Sequence, residues 1–426
     1  MNTSNKNPGY FKARFTACIM AFGAIFLTIS MVLYPDISFE AAAHGLKVWF
    51  EIVFPALLPF FIGSEILMGL GAVHFLGVLL EPFMRPVFNV PGVGAFVMAM
   101  GLASGYPIGA VLTGKLRRQK MVSRVEAERL LSFTNTADPL FMFGAVAIGM
   151  FGIAKVGSII AFSHYISALL VGIILRFYGR SAPAQDEKQP HGNILFRACQ
   201  ALYRARLADG RPFGQLMGDA IRQSINTMLL VGGFIILFSV VIRVATMMGL
   251  TAVLSLFFAR ILSLIGLETT LAEACISGLF EITIGSDLAS SAPSTLGSGL
   301  ASLSQRIAVT SGIIAWSGIS VHCQVAAIIN DTDIRLTPYL TARILHAILA
   351  TSIALIMVQF NPVFLDSIAV PVYLQTPPDP AWSYWGPRLH FLLTRVGTLL
   401  LILVLSSAIY SFIRRLRLIP LLIKKQ

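Results

Sequence analysis

Residues 101–107 read Gly-Leu-Ala-Ser-Gly-Tyr-Pro and interrupt an apolar stretch that runs from 91 to 119. A little further on, Phe133-Thr134-Asn135-Thr136-Ala137-Asp138-Pro139-Leu140 breaks a second apolar stretch. The other half of the chain repeats the pattern with Gly278-Leu-Phe-Glu281-Ile-Thr283-Ile-Gly285-Ser286 and then Trp316-Ser317-Gly318-Ile319-Ser320-Val321-His322. Backbone interrupted at bilayer depth leaves N–H and C=O groups unpaired, which is tolerated only where protein buries them or a watery cavity solvates them. Two matched pairs of breaks predict one central binding site between two repeats, the pattern of a secondary transporter.

Composition places these breaks in a membrane. Of 426 residues, 56% are hydrophobic and 12% charged, with a mean hydropathy of +0.78. A soluble domain carries about 25% charged residues, so this chain reads as an all-α, polytopic membrane protein. Its net charge of +12 does not point to nucleic acid, because the basic residues gather in short segments between apolar spans. The four cysteines, Cys18, Cys199, Cys275 and Cys323, show neither C-x-x-C nor metal spacing.

The expected spans are 15–34, 50–71, 139–153 with a lead-in from 123, 156–178, 225–248, 303–330, 336–360 and 388–413. Stretches 91–119 and 270–300, broken near their middles by glycine and proline, read as re-entrant hairpins of two half-helices. Residues 36–47, 72–90 and 249–266 mix apolar stripes with charge and fit interfacial helices. Basic residues at 115–129, at 176–222 and in the tail belong on the cytoplasmic side, whereas the loop 361–386 has no Lys or Arg. Tracing the chain on that rule puts both termini in the cytoplasm and the two hairpins on opposite sides of the membrane, an inverted repeat. The resulting division is 1–44 (N-terminal segment and first span), 45–178 (first repeat), 179–212 (a cytoplasmic linker, with 179–210 a flexible connector), 213–360 (second repeat) and 361–426 (external loop, last span and basic tail).

Each break carries chemistry. Ser104 and Gly105 let the first hairpin reverse, and Pro107 suits the first position of the returning half-helix, where no N–H is needed. That helix start presents free amides and a partial positive charge, which favours an anionic group by about 0.3–1 kcal/mol. Glu281, beside Thr283, is an ionisable group at membrane depth and needs a proton, a cation or a substrate donor; Ser286 or Asp287 is positioned to cap the helix that follows. Thr134, Asn135, Thr136 and Asp138, with Pro139 restarting the helix, form one facing wall. Ser317, Gly318, Ser320, His322 and Gln324 form the other. The side chains of His164, His346 and Arg343 fit either a cavity or an interface.

The strings Ser104-Gly-Tyr-Pro-Ile-Gly109, Phe133-Thr-Asn-Thr-Ala-Asp-Pro-Leu-Phe141, Gly278-Leu-Phe-Glu-Ile-Thr283 and Gly318-Ile-Ser-Val-His-Cys-Gln324 resemble the sporulation integral membrane protein family YlbJ, also called stage V sporulation protein V. The resemblance runs from about residue 45 to 360. It extends to the wider nucleoside-recognition or Gate-domain group, which is similar to concentrative nucleoside transporters. It implies an endospore-forming bacterium and a carrier that moves dipicolinic acid towards the forespore across the outer forespore membrane. Residues carried over by motif are Ser104, Gly105, Tyr106, Pro107, Asn135, Pro139, Glu281, Thr283, Ser320, His322 and Gln324; Asp138 and Cys323 are assigned no family role.

The reading is therefore an alternating-access carrier of a small anionic metabolite. Its partners are that small molecule and the lipid bilayer, with no cofactor; a coupling H⁺ or Na⁺ is left open by the residues. A nucleoside carrier would place Glu281 on ribose hydroxyls. A sporulation membrane scaffold would leave the matched breaks without a purpose. An intramembrane enzyme is disfavoured, because Gly101-Leu-Ala-Ser104-Gly105 is not G-x-S-x-G and no H-E-x-x-H occurs.

Overall fold

The computed structural model describes residues 8–179, 194–295 and 299–360, together with 390, 394 and 398. The loop 361–386, the tail, almost all of the last span and part of the linker lie outside the described residues. Among the described residues the chain is helical, with one isolated bridge between Pro293 and Leu300.

Helix α1 (Pro8–Leu33) ends at Tyr34, and α2 (Pro35–Val48) leaves it at a right angle, the bent pair meeting at 105°. A π-helical turn, Trp49–Val53, feeds α3 (Phe54–Gly69). Gly71, with φ of +86°, then turns the chain by 81° into α4 (Ala72–Phe88). The bend at Gly71 turns α4 away from α3, as its mixed apolar and charged face requires, whereas α2 runs on through the π-helical turn into α3 and packs along α10, so residues 36–47, expected as an interfacial helix, form the first part of one long helix. The first hairpin follows as α5 (Gly94–Ser104) and α6 (Ile108–Arg118). A capping box starts α7 (Arg124–Thr134): the Glu126 amide donates to Ser123 Oγ at 3.3 Å and the Ser123 amide to Glu126 Oε2 at 2.8 Å. After the break, a π-helix (Phe141–Met150) leads to α8 (Ala154–Leu175).

The second half runs α9 (Ile194–Asp209), α10 (Phe213–Met247), α11 (Leu250–Leu264), α12 (Ala272–Phe280), α13 (Ile282–Ser290), α14 (Leu303–Trp316), α15 (Gly318–Ile329) and α16 (Leu336–Phe360). Residues 194–209, read from sequence as part of a flexible connector, form helix α9 and pack along α4. Leu202 and Ala205 close on Gly71 there, so apolar contact orders a stretch whose charge content suggested a loop. Helix α10 begins at 213, a dozen or so residues earlier than hydropathy alone marks. Helices α8, α10, α14–α15 and α16 are long and apolar enough to cross a membrane. Large apolar side chains such as Phe22, Phe39, Phe50, Leu229, Leu256 and Phe257 lie exposed around the outside, a surface that lipid covers at no hydrophobic cost. The main buried cluster joins the halves, with Phe96, Ile108, Leu130 and Phe133 from the first and Ile307, Ile314, Val321 and Val325 from the second.

Polar contacts define the two ends of this bundle. At one end Arg117 holds Asp333 at 2.7 and 2.9 Å, Arg118 holds Asp331 at 2.6 Å, and Arg335 and Tyr178 both donate to Glu128 at 2.8 Å. At the other, the Arg306 guanidinium lies 5.7 Å from the centre of the Phe151 ring and donates to Ala301 O, while Glu268 accepts from the amides of Thr295 and Ser302. Both feet of the α5–α6 hairpin stand at the first end, and both feet of α12–α13 at the second. Helix α8 runs from one end to the other, between Phe151 and Tyr178.

Glu128 is buried and anchors the first end through Arg335 and Tyr178. Glu128→Ala is expected to lower stability by up to about 1 kcal/mol, since it removes the acceptor of Tyr178 and Arg335, whose donors then turn to water. Arg124→Ala, which removes a pair of 3.8 Å on a half-exposed side chain, should change it by less than about 0.5 kcal/mol. Thermal unfolding in detergent measures both.

Candidate functional site

The first tip is built by α5 running into α6. Gly105 adopts φ of +76°, and a Cβ there would sit 2.7 Å from Asp138 Oδ2, so only glycine fits the reversal. Pro107 stands one residue before α6 rather than inside it. The amides of Ile108 and Ala110 turn back onto Gly105 O at 3.0 Å and Pro107 O at 2.9 Å. The helix start therefore offers fewer free N–H groups than its sequence suggests, because the tip consumes them to close its own turn. Ser104 is fully buried and its hydroxyl has no partner. Tyr106 reaches across the molecule and donates to Ile314 O at 2.7 Å.

The break in the facing span lies over Asn135–Asp138, extended between α7 and the helical turn that Pro139 begins. Its polar groups are met one by one. Thr136 Oγ1 donates to Gly101 O at 3.0 Å, the Ala137 amide to His164 Nε2 at 3.0 Å, and Tyr165 to Ala137 O at 3.2 Å. Asp138 Oδ1 accepts from the Phe141 amide at 2.8 Å and so caps the π-helix. Thr134 spends its hydroxyl on Leu130 O in its own helix. Asn135 is left as the pocket-facing candidate: Nδ2 donates to the Tyr339 hydroxyl at 3.0 Å, while Oδ1 is buried without a donor.

The second tip reverses at Glu281 itself, whose backbone is extended between α12 and α13. Its Oε2 accepts from the amides of Thr283 at 2.7 Å and Ile284 at 2.9 Å. Glu281 thus caps α13, and the expected caps do not: Ser286 lies buried inside the helix with an unpartnered hydroxyl. The reason is local, since the turn occurs earlier than the glycine at 285 suggests. The facing break falls at Ser317 and Gly318, both left-handed, with φ of +71° and +75°. A Cβ on Gly318 would lie 2.8 Å from Phe280 O. Trp316 Nε1 donates to Leu279 O at 3.0 Å, tying the break to the tip. On α15, Gln324 Nε2 approaches Ser320 Oγ at 3.5 Å, and both His322 nitrogens are buried without partners.

The structure thus groups Ser104, Gly105, Tyr106, Pro107, Asn135, Asp138 and Pro139 at one tip–break contact. It groups Glu281, Thr283, Ser317 and Gly318 at the other, with Ser320, His322 and Gln324 on the helix that follows. The bridge between the two groups is Tyr339 of α16, bonded to Asn135 and edge-on to His322 with ring centres 5.5 Å apart. Tyr339 was not visible as a site residue in the sequence. Arg343, His164 and Tyr165 complete the wall; an arginine inside an apolar span was the available signal for the first of them.

Comparison with known proteins finds three kinds of match. Residues 50–162 match the family described as Gate, nucleoside recognition. The sporulation integral membrane protein YlbJ of Bacillus subtilis (strain 168) is 48% identical over 343 residues, 80% of this chain and 82% of that protein. Among solved structures, CNTnw in an inward-facing substrate-bound state has 13% identity and a TM-score of 0.40 over 78% of this chain and 86% of that one. A CNTnw variant in an intermediate state has 13% identity and a TM-score of 0.39 over 84% and 86%. Scores of that size carry no residue correspondence.

Gly105→Ala and Gly318→Ala are each expected to destabilise the fold by about 1–3 kcal/mol, through left-handed backbone and the close approaches at the tips. Gly63→Ala, with nothing within 4 Å of its added Cβ, should be neutral. Detergent melting curves of the three variants provide the comparison.

Proposed function

The chain belongs to the family of the sporulation integral membrane protein YlbJ, and we propose that it is a carrier for a small anionic metabolite, dipicolinic acid, during endospore formation. The carrying observation is the set of orphaned polar atoms on the elements that break. Ser104 Oγ, Asn135 Oδ1, Ser286 Oγ and both nitrogens of His322 are buried and have no partner within the protein. About nine in ten buried polar groups are hydrogen-bonded in folded proteins, so a concentration of orphans on facing breaks marks a place that a solute or water fills.

The two hairpins start from opposite ends of α8, which supports reading residues 45–178 and 213–360 as inverted repeats. In that reading each tip gates one side of a midplane pocket, and the basic end carrying Arg117, Arg118 and Arg335 faces the cytoplasm. The membrane is the outer forespore membrane, with both termini on its cytoplasmic side. Ser104, Asn135, Glu281, Ser320 and His322 contact the cargo, while Asp138, Gly105 and Gly318 hold the breaks in shape. A second reading, a nucleoside carrier, draws on the nucleoside-recognition match over residues 50–162. Uridine then competes for the site, with Glu281 on its ribose hydroxyls.

Dipicolinate should bind the purified protein; Ser104→Ala should weaken it by about tenfold or more, the loss of one buried hydrogen bond to a charged group, and Glu281→Gln, which removes a carboxylate from the site, should change it as well. Wild-type affinity in both variants removes the site assignment, and displacement by uridine alone selects the nucleoside reading. In a background without native cysteines, Gln119→Cys and Ser291→Cys, both exposed, should react with an impermeant maleimide from opposite sides of the membrane. Labelling from one side only contradicts the inverted repeat.

A further inference from the structure

We propose that Arg343 is the residue that recognises a carboxylate on the cargo. The proposal rests on the carrier reading above and adds to it the chemical group that the cargo must present. Arg343 lies in α16, about 10 Å along the helix axis from its start at 1.5 Å per residue, and it is fully buried. An ionised group in such a place costs several kcal/mol unless it is matched by opposite charge and hydrogen bonds. No carboxylate lies within ion-pair distance of Arg343 among the described residues. The arginines at the first end are treated differently: Arg85, Arg117, Arg118 and Arg335 each hold an aspartate or glutamate. Arg129 and Arg306 hold carbonyls, but each sits at an end of the bundle.

What Arg343 does hold is the broken end of α7. Nη1 donates to Asn135 O at 2.9 Å and Nη2 to Ser132 O. These carbonyls belong to a helix C-terminus and supply part of a negative charge, not a whole one. A guanidinium has five N–H donors; two are engaged here, and the buried Nε–H has no acceptor at all. The remaining donors sit where the two breaks approach. The Tyr339 ring, 5.4 Å from the guanidinium carbon, leads to Asn135 on one side and His322 on the other. Tyr339 thus links the Arg343 group to two residues with orphaned polar atoms, Asn135 through Oδ1 and His322 through both ring nitrogens.

A carboxylate meets this need in full. It brings the missing unit of negative charge, and its two oxygens match the fork of a guanidinium. A neutral cargo would leave Arg343 uncompensated.

The test is calorimetric titration of the detergent-purified full chain with dipicolinate and with its neutral isostere pyridine-2,6-dicarboxamide. The wild type should prefer dipicolinate by at least about tenfold. Arg343→Gln should abolish that preference while leaving affinity for the diamide unchanged, and Arg343→Lys should restore part of it. An Arg343→Gln protein that melts like the wild type and keeps the preference overturns the proposal. So does an equal loss for both ligands, which marks a purely structural role. If Arg343→Gln does not fold, the wild-type ratio and Arg343→Lys still decide: equal affinity of the wild type for the two ligands, or an Arg343→Lys protein with an undiminished preference, overturns it. A wild type that binds uridine and neither pyridine compound removes the anion-carrier reading itself, whereas dipicolinate binding lost in Glu281→Gln but indifferent to Arg343 removes only the present inference.

Discussion

A peptide group without a hydrogen-bond partner is costly in hydrocarbon, and this chain interrupts its helices four times in the stretches that meet at its centre. The fold is the means of meeting that cost. Each interruption is placed against another, so that the tip of a hairpin and the break of a span satisfy one another. Thr136 serves Gly101 O, His164 serves the Ala137 amide, Trp316 serves Leu279 O, and Glu281 serves the first amides of α13. The polar atoms left over after this pairing define the site.

Several features were legible in the sequence because they follow from composition and spacing. Charge depletion fixed the solvent. Ser104-Gly105-Tyr106-Pro107 marked a reversal and Ser317-Gly318 a break within a span, since left-handed or otherwise constrained backbone at bilayer depth has few other uses. The mixed apolar and charged face of 72–90 marked a helix turned away from the one before it, whereas the same reading of 36–47 missed that this stretch runs on into α3 and packs along α10. Finer points were lost where tertiary contact overrides local pattern. Residues 194–209 look like a loop by charge, yet their apolar face finds α4. Glu281 caps its own returning helix, because a carboxylate at the turn satisfies two amides better than a hydroxyl one turn later. Tyr339 carries no sequence signal, since a tyrosine in an apolar helix is ordinary until its hydroxyl is seen to meet Asn135.

Electrostatics connects the fold to a cargo. The first end of the bundle neutralises its charges locally: Arg117 and Asp333 pair there, holding the Asp333 carboxyl below its ordinary value through the hydrogen bond from Arg117. That contribution persists above the ordinary aspartate range and fades as pH falls through the lowered value. The interior does not neutralise itself in this way. Arg343 and Glu281 are both buried, and each leans on helix-terminal backbone groups rather than on an ion partner. Buried charges so arranged are the basis of the carboxylate recognition proposed above.

The central claim is that the tips meet a solvated chamber in the middle of the membrane. Cysteine accessibility measures this directly, with Ser104→Cys and Thr283→Cys placed singly in a background lacking the native cysteines and exposed to a small, water-soluble thiosulfonate. Both positions should react, and saturating dipicolinate should slow both. Tips that stay unreactive in every condition, or that react at a rate the ligand does not alter, would contradict the account.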